Sequence, residues 1–307
     1  MKPMRHIWIG PSAALLAILF CGEANAQQTP DCRLLPKAML EMQTMPDGRV
    51  TIPVQVDGHD YRLMVDTGGY INTLSPQLVK EQGYESQRSP GELRGMGTMR
   101  LDHYVTVKDF AIGRSHGKNF KFYVDDFNDA FEDGTLAPQV LGAYDVDLDF
   151  AHGKLNLISP DHCPGQVTYW TKFSATVIPI QIQGLTHIRI PVTIDGKEIM
   201  AVVDTGASTS YITMRAAKRY LKIDEKDPAL KLRGNIPVNG MVGPVYNYPF
   251  ESLNFGDIKV SHPRIQIVED KVWDQTDLLL GIGILRQLHI YIAYKEKKMY
   301  ITPALTD

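Results

Sequence analysis

Two aspartates stand where a carboxylate could take up and release a proton. Asp66 is followed by Thr67 and Gly68, and Asp204 is followed by Thr205 and Gly206. Each triplet comes directly after a short apolar run, Leu63-Met64-Val65 or Ala201-Val202-Val203. A valine-rich strand that ends in a glycine-containing turn presents whatever polar residue sits at its corner. Two carboxylates brought into one site cannot both ionise, because like charges raise one of the two pKa values. Such a pair holds one proton, so one member serves as base and the other as acid. An isolated Asp-Thr-Gly is usually only a turn, with Asp bonding its own backbone. The surroundings must therefore decide.

Those surroundings repeat. Residues 52–68 read IPVQVDGHDYRLMVDTG and residues 190–206 read IPVTIDGKEIMAVVDTG, with nine of seventeen positions identical at an offset of 138. Further on, Val140-Leu141-Gly142 has a counterpart in Leu279-Leu280-Gly281, with Gly142 lying 76 residues after Asp66 and Gly281 lying 77 after Asp204. Gly142 and Gly281 are read as packing glycines. A duplicated unit of this size is too long for a solenoid repeat and too few in number for an array. The expected arrangement is a pair of like lobes facing each other, as in a dimer whose subunits have been fused.

The first 26 residues are set apart. Lys2 and Arg5 give a positive start, residues 13–20 are apolar, and Ala24-Asn25-Ala26 is a small-x-small site. This is the pattern of a secretory signal peptide cut after Ala26. Its apolar part is too short to span a bilayer, and no later stretch is long enough. Leu19-Phe20 before Cys21 do not resemble a lipid-attachment box. Without Lys2, Arg5 and Glu23, the 32 basic and 35 acidic residues become 30 and 34, a formal charge of −4. A mildly acidic chain of this kind has no basic face for nucleic acid. The expected location is secreted or periplasmic. In an oxidising compartment the two remaining cysteines, Cys32 and Cys163, read as a disulfide, with two free buried thiols as the alternative. No paired ligands stand at zinc spacing.

The elements that must position the aspartates are short. Residues 51–56 and 62–65 read as strands joined at Asp57-Gly58. A helical turn is expected after Ser75-Pro76, with Ser as cap and Pro at the first helical position. Residues 104–112, 120–124 and 155–158 follow as strands, and 125–134 as an acidic solvated loop. In the second half, strands are expected at 188–194, 198–203, 250–255 and 258–268, a helix within 210–220 and a helical turn at 284–288. A C-terminal hairpin pairs 290–294 with 299–302. The domain reading is a signal peptide over 1–26, an N-terminal arm over 27–46, lobes over 47–160 and 177–307, and a linker over 161–176.

Two Asp-Thr-Gly corners, each following an apolar strand and each followed by a hydrophobic-hydrophobic-Gly triplet, resemble the aspartic proteases. Glycine-rich stretches between these landmarks add to the match: Gly95-Met96-Gly97 and Gly240-Met241-Val242-Gly243. Each half is similar to one retropepsin subunit, and the pair is similar to a compact version of the two-lobed pepsin arrangement. The resemblance implies a mainly β fold of two similar, closed β-barrel-like lobes facing each other across a cleft, with short helices. It implies an aspartic endopeptidase in which a water between Asp66 and Asp204 attacks the scissile carbonyl. The aspartic-protease dyad is the known example of two carboxylates sharing a proton. Neither cofactor nor metal is implied. Gly68 and Gly206 would bring backbone N–H groups close to the carboxylates, and Thr67 and Thr205 would hydrogen-bond across the lobes. The glycine-rich stretches would be flaps over an extended peptide, or else plain hairpin turns. The partner implied is a protein or peptide substrate, and the protein itself would be a monomer with an internal pseudo-dimer.

The first corner departs from the family pattern. It continues Gly69-Tyr70, whereas the second has the usual Ala207-Ser208, in which a small residue precedes a hydroxyl that can hydrogen-bond the carboxylate. The alternative function is therefore a catalytically weak or inactive peptide-binding protein of the same fold in the cell envelope.

Overall fold

The computed structural model describes residues 32–94, 100–125, 133–183, 187–238, 241–269 and 276–305. The chain is mainly β, in two similar lobes with few and short helices. The expected acidic loop lies largely, and the segment read as a signal peptide wholly, outside the described residues.

Each lobe starts from a hairpin of alternating buried residues, Val50–Val56 with His59–Val65 and His187–Ile194 with Lys197–Val203. Both turn at Asp-Gly. Asp57 and Gly58 have φ of 48° and 84°, and Asp195 and Gly196 have 45° and 76°. Consecutive left-handed residues match the twist of a two-residue hairpin, which is why Asp-Gly recurs here. The turn carboxylates also bind the next layer. Asp57 Oδ1 accepts from Asp109 N at 2.7 Å, and Asp195 Oδ1 accepts from Glu251 N and Ser252 N at 2.9 and 2.8 Å.

In the first lobe six strands form a closed ring: Val50–Val56, His59–Val65, Gly134–Leu136, Thr73–Leu74, Ser115–Val124 and Arg100–Ile112. Closure comes from Gln55 opposite Ala111 and Val56 opposite Phe110. In the second lobe the long hairpin of the first is broken into Met241–Asn247, Ser252–Phe255, Ile258–Ser261 and Ile265–Val268, and its sheet stays open. The single strand expected over 258–268 is thus two. Proline lacks the N–H a central strand needs, and Pro249 and Pro263 fall at the two breaks, where His262 also takes a left-handed φ of 48°. Residues 100–124 of the first lobe contain no proline.

Helix Pro76–Glu81 forms as its sequence implies, with Ser75 Oγ accepting from Leu78 N at 3.2 Å. After strand Ser210–Thr213 the chain enters helix Met214–Ala216 and a wider π turn, Ala217–Leu221. The last helical turn is Ile282–Leu285, slightly earlier than expected.

A six-stranded antiparallel sheet joins the lobes, in the order Pro36–Glu41, Lys154–Ile158, Asp145–Asp149, Leu288–Ala293, Lys298–Pro303, Thr176–Pro179. The C-terminal hairpin is present, and it pairs with the first lobe through Val146 opposite Ile292 and Leu148 opposite Ile290. Side chains alternate across a strand. Val146, Leu148, Leu155, Leu157, Ile290 and Ile292 accordingly enter the main core on one face. The other face carries Asp145 and Asp147, both buried, each beside a histidine at 2.6 Å, His162 and His289 respectively. Buried carboxylates require such partners. Tyr291 OH also donates to Asp145 at 3.0 Å, Asn156 Nδ2 donates to Asp147 at 2.8 Å, and Tyr169 OH donates to Asp147. Trp170 stacks on His289 with ring centroids 4.4 Å apart, so the segment between the lobes covers this face. Cys32 and Cys163 are joined in a disulfide that ties the start of the described chain to that segment.

Candidate active site

Each aspartate sits where a short strand is inserted between two others. Gly134–Leu136 runs parallel to His59–Val65 and antiparallel to Thr73–Leu74, and Leu278–Leu280 does the same between Lys197–Val203 and Ser210–Thr213. The chain leaving the first strand must therefore turn outward over the inserted one. Asp66 N donates to Leu136 O and Asp204 N to Leu280 O, both at 3.0 Å, which places the two carboxylates at equivalent corners.

The corners are locked to each other by their threonines. Thr67 N donates to Thr205 Oγ1 and Thr205 N to Thr67 Oγ1, both at 3.1 Å. Each hydroxyl then donates onward into the opposite lobe, Thr67 Oγ1 to Val203 O at 2.9 Å and Thr205 Oγ1 to Val65 O at 2.6 Å. Both threonines are fully buried, so all four bonds are shielded from water.

The glycines permit the close approach. A Cβ on Gly68 would lie 2.3 Å from Asp204 Cγ, and one on Gly206 would lie 2.5 Å from Asp66 Cγ. Each lobe's glycine thus packs against the other lobe's carboxylate while serving its own. Gly68 N donates to Asp66 Oδ1 at 2.9 Å, Gly206 N to Asp204 Oδ1 at 2.9 Å, and Ala207 N to Asp204 Oδ1 at 3.0 Å. Gly69 N–H also stabilises the Asp66 carboxylate.

The two carboxyl groups lie close enough for each to shift the other's pKa. Burial pushes Asp66 above the usual carboxylate range, opposed by the hydrogen bond with Asp204, by the Gly68 and Gly69 N–H groups and by the charge of Arg49. Asp204 is pushed well above that range, first by burial and then by the charge of Asp66 and the hydrogen bond with it. Asp204 is 2% exposed while Asp66 is only half-buried. The pair therefore shares one proton, and Asp204 is the member whose pKa is raised further.

The expected pairing of Gly142 with Gly281 does not hold. Gly281 precedes helix Ile282–Leu285, where a Cβ would lie 2.6 Å from the carbonyls of Ala207 and Thr209. Its structural counterpart is Ala137, which precedes helix Pro138–Leu141, whereas Gly142 ends that helix and donates its N–H to Pro138 O at 2.8 Å. The similar sequence distances come from helices entered at different points. The correct pairing also accounts for Gly69. In the first lobe glycine stands at 69 and alanine at 137, and a Cβ on Gly69 would crowd Ala137 Cβ at 3.2 Å and Asp66 Oδ2 at 2.5 Å. In the second lobe the small residues are exchanged, Ala207 with Gly281.

Ser208 lies on the second corner beside Gly283, and the N–H donors to Asp204 are those of Gly206 and Ala207. Gly95, Met96, Gly97 and Gly240 lie outside the described residues, and Met241 is described only in its backbone, as the first residue of strand Met241–Asn247. Val242 on that strand is 70% exposed, and Gly243 stands opposite Ile236 in the hairpin with Lys231–Val238.

Several site residues escaped the sequence reading. Asn72 Oδ1 accepts from Ala137 N at 2.8 Å, and Ser210 Oγ accepts from Gly281 N at 2.9 Å. Arg49 and His187 stand beside the first corner. Both pairs are separated by the same offset of 138 as the aspartates, which was the signal available for them. Tyr294, 9% exposed, has a buried hydroxyl without a hydrogen-bond partner among the described residues, and its pKa is raised by burial and by the charge of Asp66.

The sequence profile of the aspartyl protease family matches residues 52–143 and again residues 190–284, one match per lobe and together more than half of the chain. The chain belongs to the aspartyl protease family. No curated protein matches it.

Proposed function

We propose that the protein is an aspartic endopeptidase that hydrolyses peptide bonds with a water activated between Asp66 and Asp204. The observation that carries this reading is a pair of neighbouring carboxyl groups, each packed against the other lobe's glycine and fixed across two lobes by the threonine bonds, with burial pushing both pKa values up. Asp66, half-buried and served by N–H donors, is the ionised base that takes the proton of the attacking water. Asp204, nearly fully buried, holds the proton and hydrogen-bonds the developing oxyanion. Tetrahedral addition then leads to loss of the amine, with a proton passing to the leaving nitrogen.

The substrate is an extended peptide that pairs with the hairpin strands by β-strand addition. Met241, Val242 and Gly243 at the start of strand Met241–Asn247 belong to a flap, a role supported by the exposure of Val242. Residues 1–26 are a signal peptide, residues 27–46 an arm, 47–160 and 177–307 the lobes and 161–176 the linker. The mature chain works in the periplasm or outside the cell as a monomer. The Cys32–Cys163 disulfide supports an oxidising compartment, and among the described residues no helix is long and apolar enough to cross a membrane.

The test is cleavage of a denatured proteome between about pH 3 and 8 by the chain from residue 27 onward, beside Asp66→Asn and Asp204→Asn. Cleavage lost in both variants supports the shared dyad. Activity that survives either substitution overturns it, and no cleavage by the wild type at any pH favours the peptide-binding alternative.

A further inference from the structure

The two corners carry the same dyad but are not built alike. The second corner runs Gly206-Ala207, while the first has two glycines in succession, Gly68-Gly69, and no small hydroxyl residue after them. Consecutive glycines give a backbone more freedom than Gly-Ala. Yet Gly69 N–H, which donates to Asp66 O at 3.4 Å, also stabilises the Asp66 carboxylate, and Gly68 must stay against Asp204. Something else has to hold this peptide unit.

The group in place to do so comes from the other lobe. His187, the first residue of strand His187–Ile194, brings its ring to the backbone carbonyl of Gly68. Its ring also meets that of Tyr70 edge to face, with centroids 4.6 Å apart and planes at 68°. Such aromatic pairs have a preferred geometry and resist reorientation. Tyr70 is the residue that departs from the family pattern, and it is 43% exposed and turned onto His187.

The planarity of the peptide bond links this contact to the chemistry. The Gly68 carbonyl and the Gly69 N–H belong to one rigid trans peptide and point in opposite directions. Holding the oxygen on one side therefore aims the N–H on the other. A hydrogen bond accepted by the carbonyl also polarises the N–H that the same peptide donates. His187 thus acts on Asp66 through one peptide plane, without touching either carboxylate.

We propose that His187, seated by Tyr70, is a positioning residue that braces the first corner across the lobe boundary and takes the place of the hydroxyl residue missing there. This rests on the dyad being hydrolytic, so the test includes a readout that needs no turnover. Two variants separate the parts of the role: His187→Phe keeps an aromatic ring against Tyr70 and removes the donor, and His187→Gln keeps an N–H donor and removes the ring. Peptide cleavage is measured for both, with thermal melting to establish that each is folded. In parallel, the dyad is titrated by carbon-13 NMR of aspartate carboxyl groups.

With His187→Phe, kcat falls by about ten- to a hundredfold while KM stays within about twofold, as expected of a misplaced catalytic group. The lower titration step of the dyad moves up, because ionised Asp66 has lost a well-aimed donor. His187→Gln recovers most of kcat and returns that step towards the wild-type value. The brace is overturned if His187→Phe leaves kcat and the titration unchanged, or if both variants lose activity and shift the dyad equally. A wild type that cleaves no peptide refutes the hydrolytic reading instead, and the titration alone then decides the brace. Should His187→Phe not fold, Tyr70→Leu, which unseats the ring, is expected to produce the same upward step and a smaller loss of kcat, and an unchanged titration in that variant refutes the proposal.

Discussion

Replacing Thr205 by valine removes a hydroxyl without changing the shape of the side chain. Two buried bonds disappear with it, the one donated to Val65 O at 2.6 Å and the one accepted from Thr67 N at 3.1 Å. Thr67 and Thr205 are fully buried, so water cannot replace either partner. A buried polar group left unpaired costs about 1–3 kcal/mol, with a carbonyl more tolerant than an N–H, and the two together give about 2–4 kcal/mol. That is a large share of the ordinary stability of a folded domain, about 5–15 kcal/mol. The assay is urea unfolding of the chain from residue 27 onward, followed by circular dichroism. Thr205→Ser, which keeps the hydroxyl and loses one methyl, serves as the control and is expected to lose only about 1 kcal/mol. Thr67→Val removes a different pair of bonds, to Val203 O and Thr205 N. Its effect should therefore be of similar size. A Thr205→Val protein within about 0.5 kcal/mol of wild type, the range of an uninvolved surface position, would refute the cross-lobe lock.

Other outcomes follow from the same geometry. Gly68→Ala and Gly206→Ala each force a methyl to within 2.5 Å or less of a carboxyl carbon, so both should lose at least about a hundredfold in kcat, measured on a peptide substrate. For the dyad, the folded state binds a proton more tightly than the unfolded chain because the Asp204 pKa is raised above 3.8. This contribution is fully present below that value and is lost as pH rises towards the folded pKa. Wild type should thus lose stability relative to Asp204→Asn as pH rises above about 4, read as the difference in melting temperature across pH. Tyr294→Phe removes a buried hydroxyl that has no partner among the described residues, and should leave stability unchanged or raise it by up to about 1 kcal/mol in urea unfolding. Reducing Cys32–Cys163, which spans 131 residues, should lower stability by about 3–5 kcal/mol, seen as a shift in the urea midpoint with and without a thiol reductant.

The sequence alone determined the duplication, and with it the two carboxylates, the threonines and the glycines beside them. These are local facts: a strand, a corner and a small residue repeat at a constant offset, and identical chemistry at that offset implies identical placement. The Asp-Gly turns and the Ser75 cap were legible for the same reason, since each is settled within four residues. What lay beyond the sequence were relations between segments far apart in the chain. Which triplet answers to Leu279-Leu280-Gly281 depended on strand register, and register placed Leu136 and Ala137 there instead of Leu141 and Gly142. The division of 258–268 into two strands followed from one left-handed histidine before a proline. The unequal burial of Asp66 and Asp204 and the reach of His187 to Gly68 both arise only when one lobe closes on the other. Charge distribution in a buried pair is set by everything packed around it, and packing across an interface is not written in either half.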